Sequence, residues 1–331
     1  IPVTVPGAPS AWADLAKRFG NLPLTETLKP AIDYAENGFP VSPVCSFAWQ
    51  RAHDKYKTET SGDEFQPWFE TFTPKGRAPH AGEPWRSPDH AHTLDLIART
   101  EGAAFYSGEL AEKIDAFSRQ YNGFLRADDL TSFRAQWVEP ISIDYHGYTV
   151  WEIPPNGQGL VALMALNILK DFSFTERESV ETLHTQIEAI KLAFADGMRY
   201  ITDPGKMNVL VDDLLAESFA EKRRNMIQGT ALLPKPSDPN RSGTVYLCTA
   251  DNEGNLVSYI QSNYMGFGSG LVVPGTGIAL QNRGHNFSFD PGHDNCLAPG
   301  KQTFHTIIPG FLTQKDQPIG PFGVMGGFMQ P

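Results

Sequence analysis

The chain has 331 residues, 40% hydrophobic and 20% charged, a composition that suits a globular protein with a large core and excludes fibrous and disordered classes. A formal net charge of −11, with 27 scattered Lys and Arg, argues against nucleic acid as a partner. No apolar run approaches the roughly 20 residues that cross a bilayer, so no membrane association is expected.

The first 140 residues read as mostly helical, with polar, Pro-rich connections between Thr58 and Pro88. His90 and His92 form an HxH in what reads as a polar loop without a third ligand, so no metal is expected. Asp128-Asp129 reads as a helix cap near Leu130 rather than a catalytic carboxylate pair. Ile141 to Ile153 alternates apolar and polar residues around His146-Gly147, as a β-hairpin would, and Pro154-Pro155-Asn156-Gly157-Gln158-Gly159 ends the pattern. A buried helix is expected over Leu160 to Leu169. A longer amphipathic helix should follow, its apolar face marked by Val180, Leu183, Ile187, Ile190, Phe194 and Ile201.

The polar stretch Pro234 to Gly243 has no periodicity and suits exposure and cleavage. Beyond it the pattern turns to β. Thr244 to Ala250 and Leu256 to Ser262 flank a turn at Asp251 to Asn255, and further strand candidates are Gly277 to Gln281, Thr303 to Leu312 and Gly320 to Met325. Helices first and strands later argue for a layered α+β domain. Ile1 is not a start residue and Gly326-Gly327-Phe328-Met329-Gln330-Pro331 stops inside an element, so the sequence reads as a fragment, truncated at both ends. Cys45, Cys248 and Cys296 are odd in number and lack CxxC spacing, which favours a reducing compartment; a cytoplasmic location is the expectation.

Three stretches together resemble the γ-glutamyltransferase family: Pro154 to Gly159 with its helix, EAIKLAFADGMRYITDP over Glu188 to Pro204, and the run from Thr244 to Gly277. The N-terminal VPGAPSAWADLAKRFGNLPLTETLKPAIDYAENGFPV is similar to a segment of the family's large subunit. The resemblance implies a four-layer αββα sandwich of the N-terminal nucleophile (Ntn) hydrolase type, forming one structural domain. It implies autocleavage of a precursor between Gly243 and Thr244, giving a large subunit over 1–243 and the start of a small subunit over 244–331. It also implies Thr244 as nucleophile, Ser262 as the hydroxyl that steadies it, Gly326 and Gly327 as the oxyanion hole, and no cofactor. A homo-oligomer of such heterodimers is compatible with this reading.

The chemistry agrees with that assignment. A threonine hydroxyl needs a base near it, and a threonine at a chain start carries one, its α-amino group, whose ordinary pKa is about 7.7 to 8.0. In the precursor the same hydroxyl would attack the Gly243 carbonyl, and in turnover a substrate amide. The resulting threonyl ester passes its acyl group to water or to an amine. Glycines at the oxyanion hole let backbone N–H groups approach developing charge without a Cβ in the way.

The sequence departs from the family at the substrate pocket. Asn286 stands where glutathione-cleaving members carry an aspartate for the substrate α-ammonium. His305 and Thr306 replace two carboxylate-binding serines, Tyr264 and Arg283 stand where Asn and Gln are frequent, and the lid segment between Phe287 and Thr303 is short. Gly243 replaces the acidic residue common before the nucleophile. The resemblance still implies a small-molecule γ-glutamyl amide such as glutathione as the substrate. One alternative is an amide with a carboxylate but no α-amine, of glutaryl or oxamate type, as cephalosporin acylases and oxamate amidohydrolases would take. The other is an inactive relative serving as a binding scaffold, against which intact Thr244, Ser262, Gly326 and Gly327 argue.

Overall fold

The computed structural model describes residues 2–233 and 243–331; most of the expected cleavage linker, 234–242, lies outside them. Contacts gather into two compact units, Ile1–Gln136 with Met265–Asn282, and Trp137–Tyr264 with Arg283–Pro331.

The first unit is helical, as its sequence suggests. Prolines start several of its helices: Pro43–Glu59, Gln66–Phe72 and Pro88–Arg99 each carry one in the first turn, where its missing N–H costs nothing. One core joins Leu110, Ile114 and Leu130 to Val273 and Leu280, and a second gathers Trp68, Phe72 and Trp49 around Phe267. Gly277 to Gln281 is not the strand the sequence suggests. Gly277 has φ +70°, and the His90 imidazole fills the space a Cβ would need. The two histidines also differ from expectation. They sit on a helix, where His90 turns inward against Phe72 and Trp85, accepting or donating 2.5 Å from Ser87 Oγ, and burial lowers its pKa to about 4. His92 faces Glu109 instead. Among the described residues no His, Cys, Asp and Glu group could hold a metal, and no helix is long and apolar enough to cross a membrane. Asp129 serves its helix as expected, accepting from the Arg126 N–H at 2.8 Å.

The second unit holds every candidate site residue. Strands β1 (Ile141–Tyr145) and β2 (Tyr148–Glu152) form the expected hairpin, with His146 and Gly147 both at positive φ as a tight primed turn requires. Helix α1 (Gly159–Leu169) is buried nearly all round, and α2 (Val180–Tyr200) packs along it. The apolar face predicted for α2 is only half right. Ile201 is buried, but Val180, Leu183 and Ile187 are exposed. The face actually buried carries Thr185, Glu188, Ala189, Ala193 and Gly197, because α1 approaches so closely that a Cβ on Gly197 would strike Val161. Small residues mark the closest approach, with Leu192, Ile190 and Phe194 packed beside it. Near the C-terminal side of the unit, Lys191 donates to Leu232 O and Glu188 Oε2 accepts from Leu232 N at 3.0 Å, fixing the chain just before residue 234.

Strands β3 (Gly243–Ala250) and β4 (Leu256–Tyr264) form the second expected hairpin, with a register irregularity between Gly243 and Thr244. Asp251 Oδ1 shapes its turn by accepting from the N–H groups of Glu253 and Asn255, both at 2.9 Å. Strand β5 (Gly310–Gln314) begins later than the expected Thr303, because 303–306 is held by single bonds to the Pro154–Gly159 turn. With β6 (Gln317–Phe322) it completes an antiparallel sheet ordered β1-β2-β5-β6. The core of α1, Phe304 and Phe328 lies against this sheet. The α+β expectation holds.

Strand β2 ends in Glu152, 2% exposed, on a cavity of about 450 Å3 it shares with Gln330. Its Oε2 has no partner among the described residues, and burial pushes the carboxyl up to about 8. The folded state therefore holds a proton that the unfolded state, with an ordinary carboxyl, has lost. Stability falls as pH rises from about 4.5 to about 8, by roughly 1.4 kcal/mol per pH unit. Glu152→Gln should remove that slope, matching wild type near pH 5 and exceeding it by a few kcal/mol near pH 8. Urea denaturation at the two pH values measures the difference, and parallel curves for both proteins would refute it.

Candidate active site

Pairing of β3 with β4 sets Thr244 opposite Ser262. Their hydroxyl oxygens are 2.9 Å apart, and Thr244 is 7% exposed. Ser262 Oγ also accepts from the Tyr264 N–H at 2.8 Å, and in its contact with Thr244 Oγ1 either hydroxyl can donate. That bond bends the end of β4, and Tyr264 takes φ +73°, a conformation uncommon for a side-chain-bearing residue.

The bend lays the Tyr264 ring under Arg283, whose guanidinium carbon is 4.3 Å from the ring centroid. Arg283 Nη1 donates to Thr306 Oγ1 at 2.7 Å. All three side chains are buried, and burial lowers the Arg283 pKa to about 9, so it remains a cation at neutral pH. His305 is held well below its ordinary pKa, by burial first and by the Arg283 charge second, and is neutral. Its Nδ1 accepts from the Ile307 N–H at 3.3 Å, which puts the ring hydrogen on Nε2. Arg283 thus supplies the positive charge at this position.

Asn286 is tied to the backbone. Its Nδ2 donates to Phe304 O at 2.9 Å, and its carbonyl accepts from Asn295 Nδ2 at 2.7 Å. Gly326 and Gly327 adopt φ +155° and +61°, and Gly327 is buried. A Cβ at Gly327 would be strained whatever its surroundings.

These contacts join the residues into one run. Thr244 meets Ser262, Ser262 meets the Tyr264 backbone, Tyr264 stacks with Arg283, and Arg283 bonds Thr306. The run continues through a residue the sequence reading passed over. Gln158 Nε2 donates to Thr306 O at 2.8 Å and to Gly327 O at 2.7 Å. The one signal for it in the sequence was a polar residue just before an all-apolar helix. Asn286 and His305 join at the side, through Phe304 and through the Asn156 carbonyl, which accepts from His305 N at 2.8 Å.

Comparison with known proteins agrees with this architecture. The sequence pattern of the family described as Gamma-glutamyltranspeptidase matches residues 1–331. The glutathione hydrolase-like YwrD proenzyme of Bacillus subtilis is 39% identical over 332 residues, covering 99% of this chain and 62% of that protein. The oxamate amidohydrolase proenzyme of Klebsiella pneumoniae subsp. pneumoniae is 35% identical, covering 99% and 62%. In structure, a cephalosporin acylase from Bacillus halodurans superimposes with a TM-score of 0.96 at 64% identity, covering 100% of this chain and 61% of that one. The chain therefore spans about three fifths of the length of the relatives it matches. The likeness extends to the α+β fold of the Ntn hydrolases, for which this chain's second unit provides a helical layer, a four-stranded sheet and a two-stranded hairpin. The chain belongs to the gamma-glutamyltranspeptidase family.

Proposed function

We propose that the protein is an autoprocessing amide hydrolase and acyltransferase in which Thr244 attacks first the Gly243 carbonyl and then a substrate amide, cleaving γ-glutamyl amides through a threonyl ester. The observation that carries this is the 2.9 Å contact between Thr244 Oγ1, buried at the start of β3, and the half-buried Ser262 Oγ near the end of β4. Water as acceptor gives hydrolysis and an amine gives transfer. Relatives named as proenzymes support a precursor that yields two subunits. Gly326 and Gly327 would receive the acyl oxyanion, with Tyr264, Arg283, Asn286, His305 and Thr306 around the acyl group.

A second substrate class is favoured by the charge at this site, an acyl group with a carboxylate and no α-amine. Arg283 is cationic, His305 neutral, and Asn286 an uncharged amide. One charged hydrogen bond contributes about 1.5 to 3 kcal/mol, so a missing partner for an α-ammonium costs on the order of 10- to 150-fold in selectivity. Initial rates on γ-glutamyl, glutaryl and oxamate amides separate the classes. If the charge governs, glutaryl or oxamate amides lead γ-glutamyl ones in kcat/KM by at least about tenfold. Asn286→Asp should narrow that lead through KM, because ammonium binding is shared by ground and transition states. It should also lower stability by about 1 to 3 kcal/mol, since the new carboxylate oxygen faces Phe304 O without a hydrogen to donate. A variant that leaves both preference and stability unchanged would remove Asn286 from the pocket.

A further inference from the structure

We infer that Gln158 is a positioning residue for the reaction proposed above, holding the Gly326-Gly327 turn in register with the acyl pocket. The inference rests on that reading of Gly327.

Gln158 stands immediately before α1 and is 0% exposed. Its backbone is gripped on the pocket side, its N–H donating to His305 O at 2.8 Å, while Gly157 bridges His305 in parallel fashion. The side chain then reaches across. The two hydrogens of one amide nitrogen go to Thr306 O and Gly327 O, at 2.8 and 2.7 Å. Thr306 is the residue that receives Arg283 through its hydroxyl. One planar amide thus couples the wall that holds the cation to the turn that would hold the oxyanion.

Two physical points favour a role beyond packing. Adjacent glycines have the widest backbone freedom, so the direction of their N–H groups must be imposed from outside. Peptide units are rigid planes, and fixing the Gly327 carbonyl fixes the plane that follows Gly327 and limits rotation about it. The Gln330 N–H adds a longer bond of 3.3 Å to the same carbonyl. The second point is the other end of the Gln158 amide. Its Oε1 is buried and without a partner among the described residues. A residue present only to fill space would avoid that cost with a methyl or thioether, so what the position requires is a double donor.

The test uses Gln158→Met, of similar length without donors, and Gln158→Glu, of similar shape but able to donate a single hydrogen, and only when protonated. Rates are referred to cleaved chains, with Thr244→Ala as the zero. For Gln158→Met, kcat should fall on the order of 10- to 100-fold with KM within about threefold, because the substrate still docks while oxyanion donors drift. For Gln158→Glu, kcat should rise relative to wild type as pH falls, since the protonated carboxyl regains one bond to Gly327 O. A purely structural residue would give no such pH-dependent rescue. Wild-type kcat in Gln158→Met, or losses in both variants that follow their unfolded fraction without rescue at low pH, overturns the inference while leaving Thr244 in place. A wild-type protein that is cleaved yet hydrolyses no amide overturns the functional reading and this inference together. If Gln158→Met does not fold, the pH profile of Gln158→Glu decides alone.

Discussion

Thr244→Ala is expected to yield one uncut polypeptide with no measurable amide hydrolysis. The argument is one of atoms. Alanine removes the attacking oxygen that lies 2.9 Å from Ser262 Oγ and leaves nothing at that point to form the ester. Losing a hydroxyl nucleophile of this kind costs on the order of 10⁴- to 10⁶-fold in turnover. The fold should survive, because a neutral hydrogen bond contributes only about 1 kcal/mol and the ladder of β3 with β4 is made by backbone. A denaturing gel separates the outcomes: wild type as two chains, the variant as one. Efficient scission of the variant would move the nucleophile elsewhere.

Gly327→Val should be nearly as damaging to turnover. At φ +61° a β-branched residue is an outlier, so valine will pull the backbone toward negative φ and swing the N–H away from the acyl oxygen. Loss of one oxyanion donor lowers kcat by about 10²- to 10³-fold. The conformational strain adds a stability cost of about 1 to 2 kcal/mol. Both are measurable on one preparation, by kinetics and by urea denaturation. Near-wild-type kcat with normal processing would take Gly327 out of the site.

Legibility in the sequence follows the range of the interactions involved. The hairpin at His146-Gly147 and the buried helix Gly159–Leu169 were readable because alternation, turn residues and an all-apolar run are local signals. The inward face of α2 was misread because its neighbour, rather than its own periodicity, selects glycine and alanine there. Gly277 to Gln281 failed as a strand for a similar reason, a histidine 187 positions earlier in sequence occupying the space beside Gly277. At the site, the Thr244 and Ser262 positions came from resemblance, and hairpin register explains their contact. The stacking of Tyr264 with Arg283 and the reach of Gln158 to Gly327, 169 residues away, have no local signature at all.

The strand order β1-β2-β5-β6 bears on how the processed protein would behave once unfolded. Strands β1 and β2 precede Thr244, β5 and β6 follow it, and the β2–β5 ladder joins them at the middle of the sheet. Scission at Gly243 would therefore leave two polypeptides sharing one sheet and one core, with no dispensable interface along which to part. Before the cut, folding is a first-order search by one chain. Afterwards, recovery from denaturation is a second-order encounter between two incomplete halves, each exposing an unpaired central strand. Such a two-chain form would owe its persistence to slow unfolding, with a denaturation midpoint that depends on protein concentration and a return path open to aggregation.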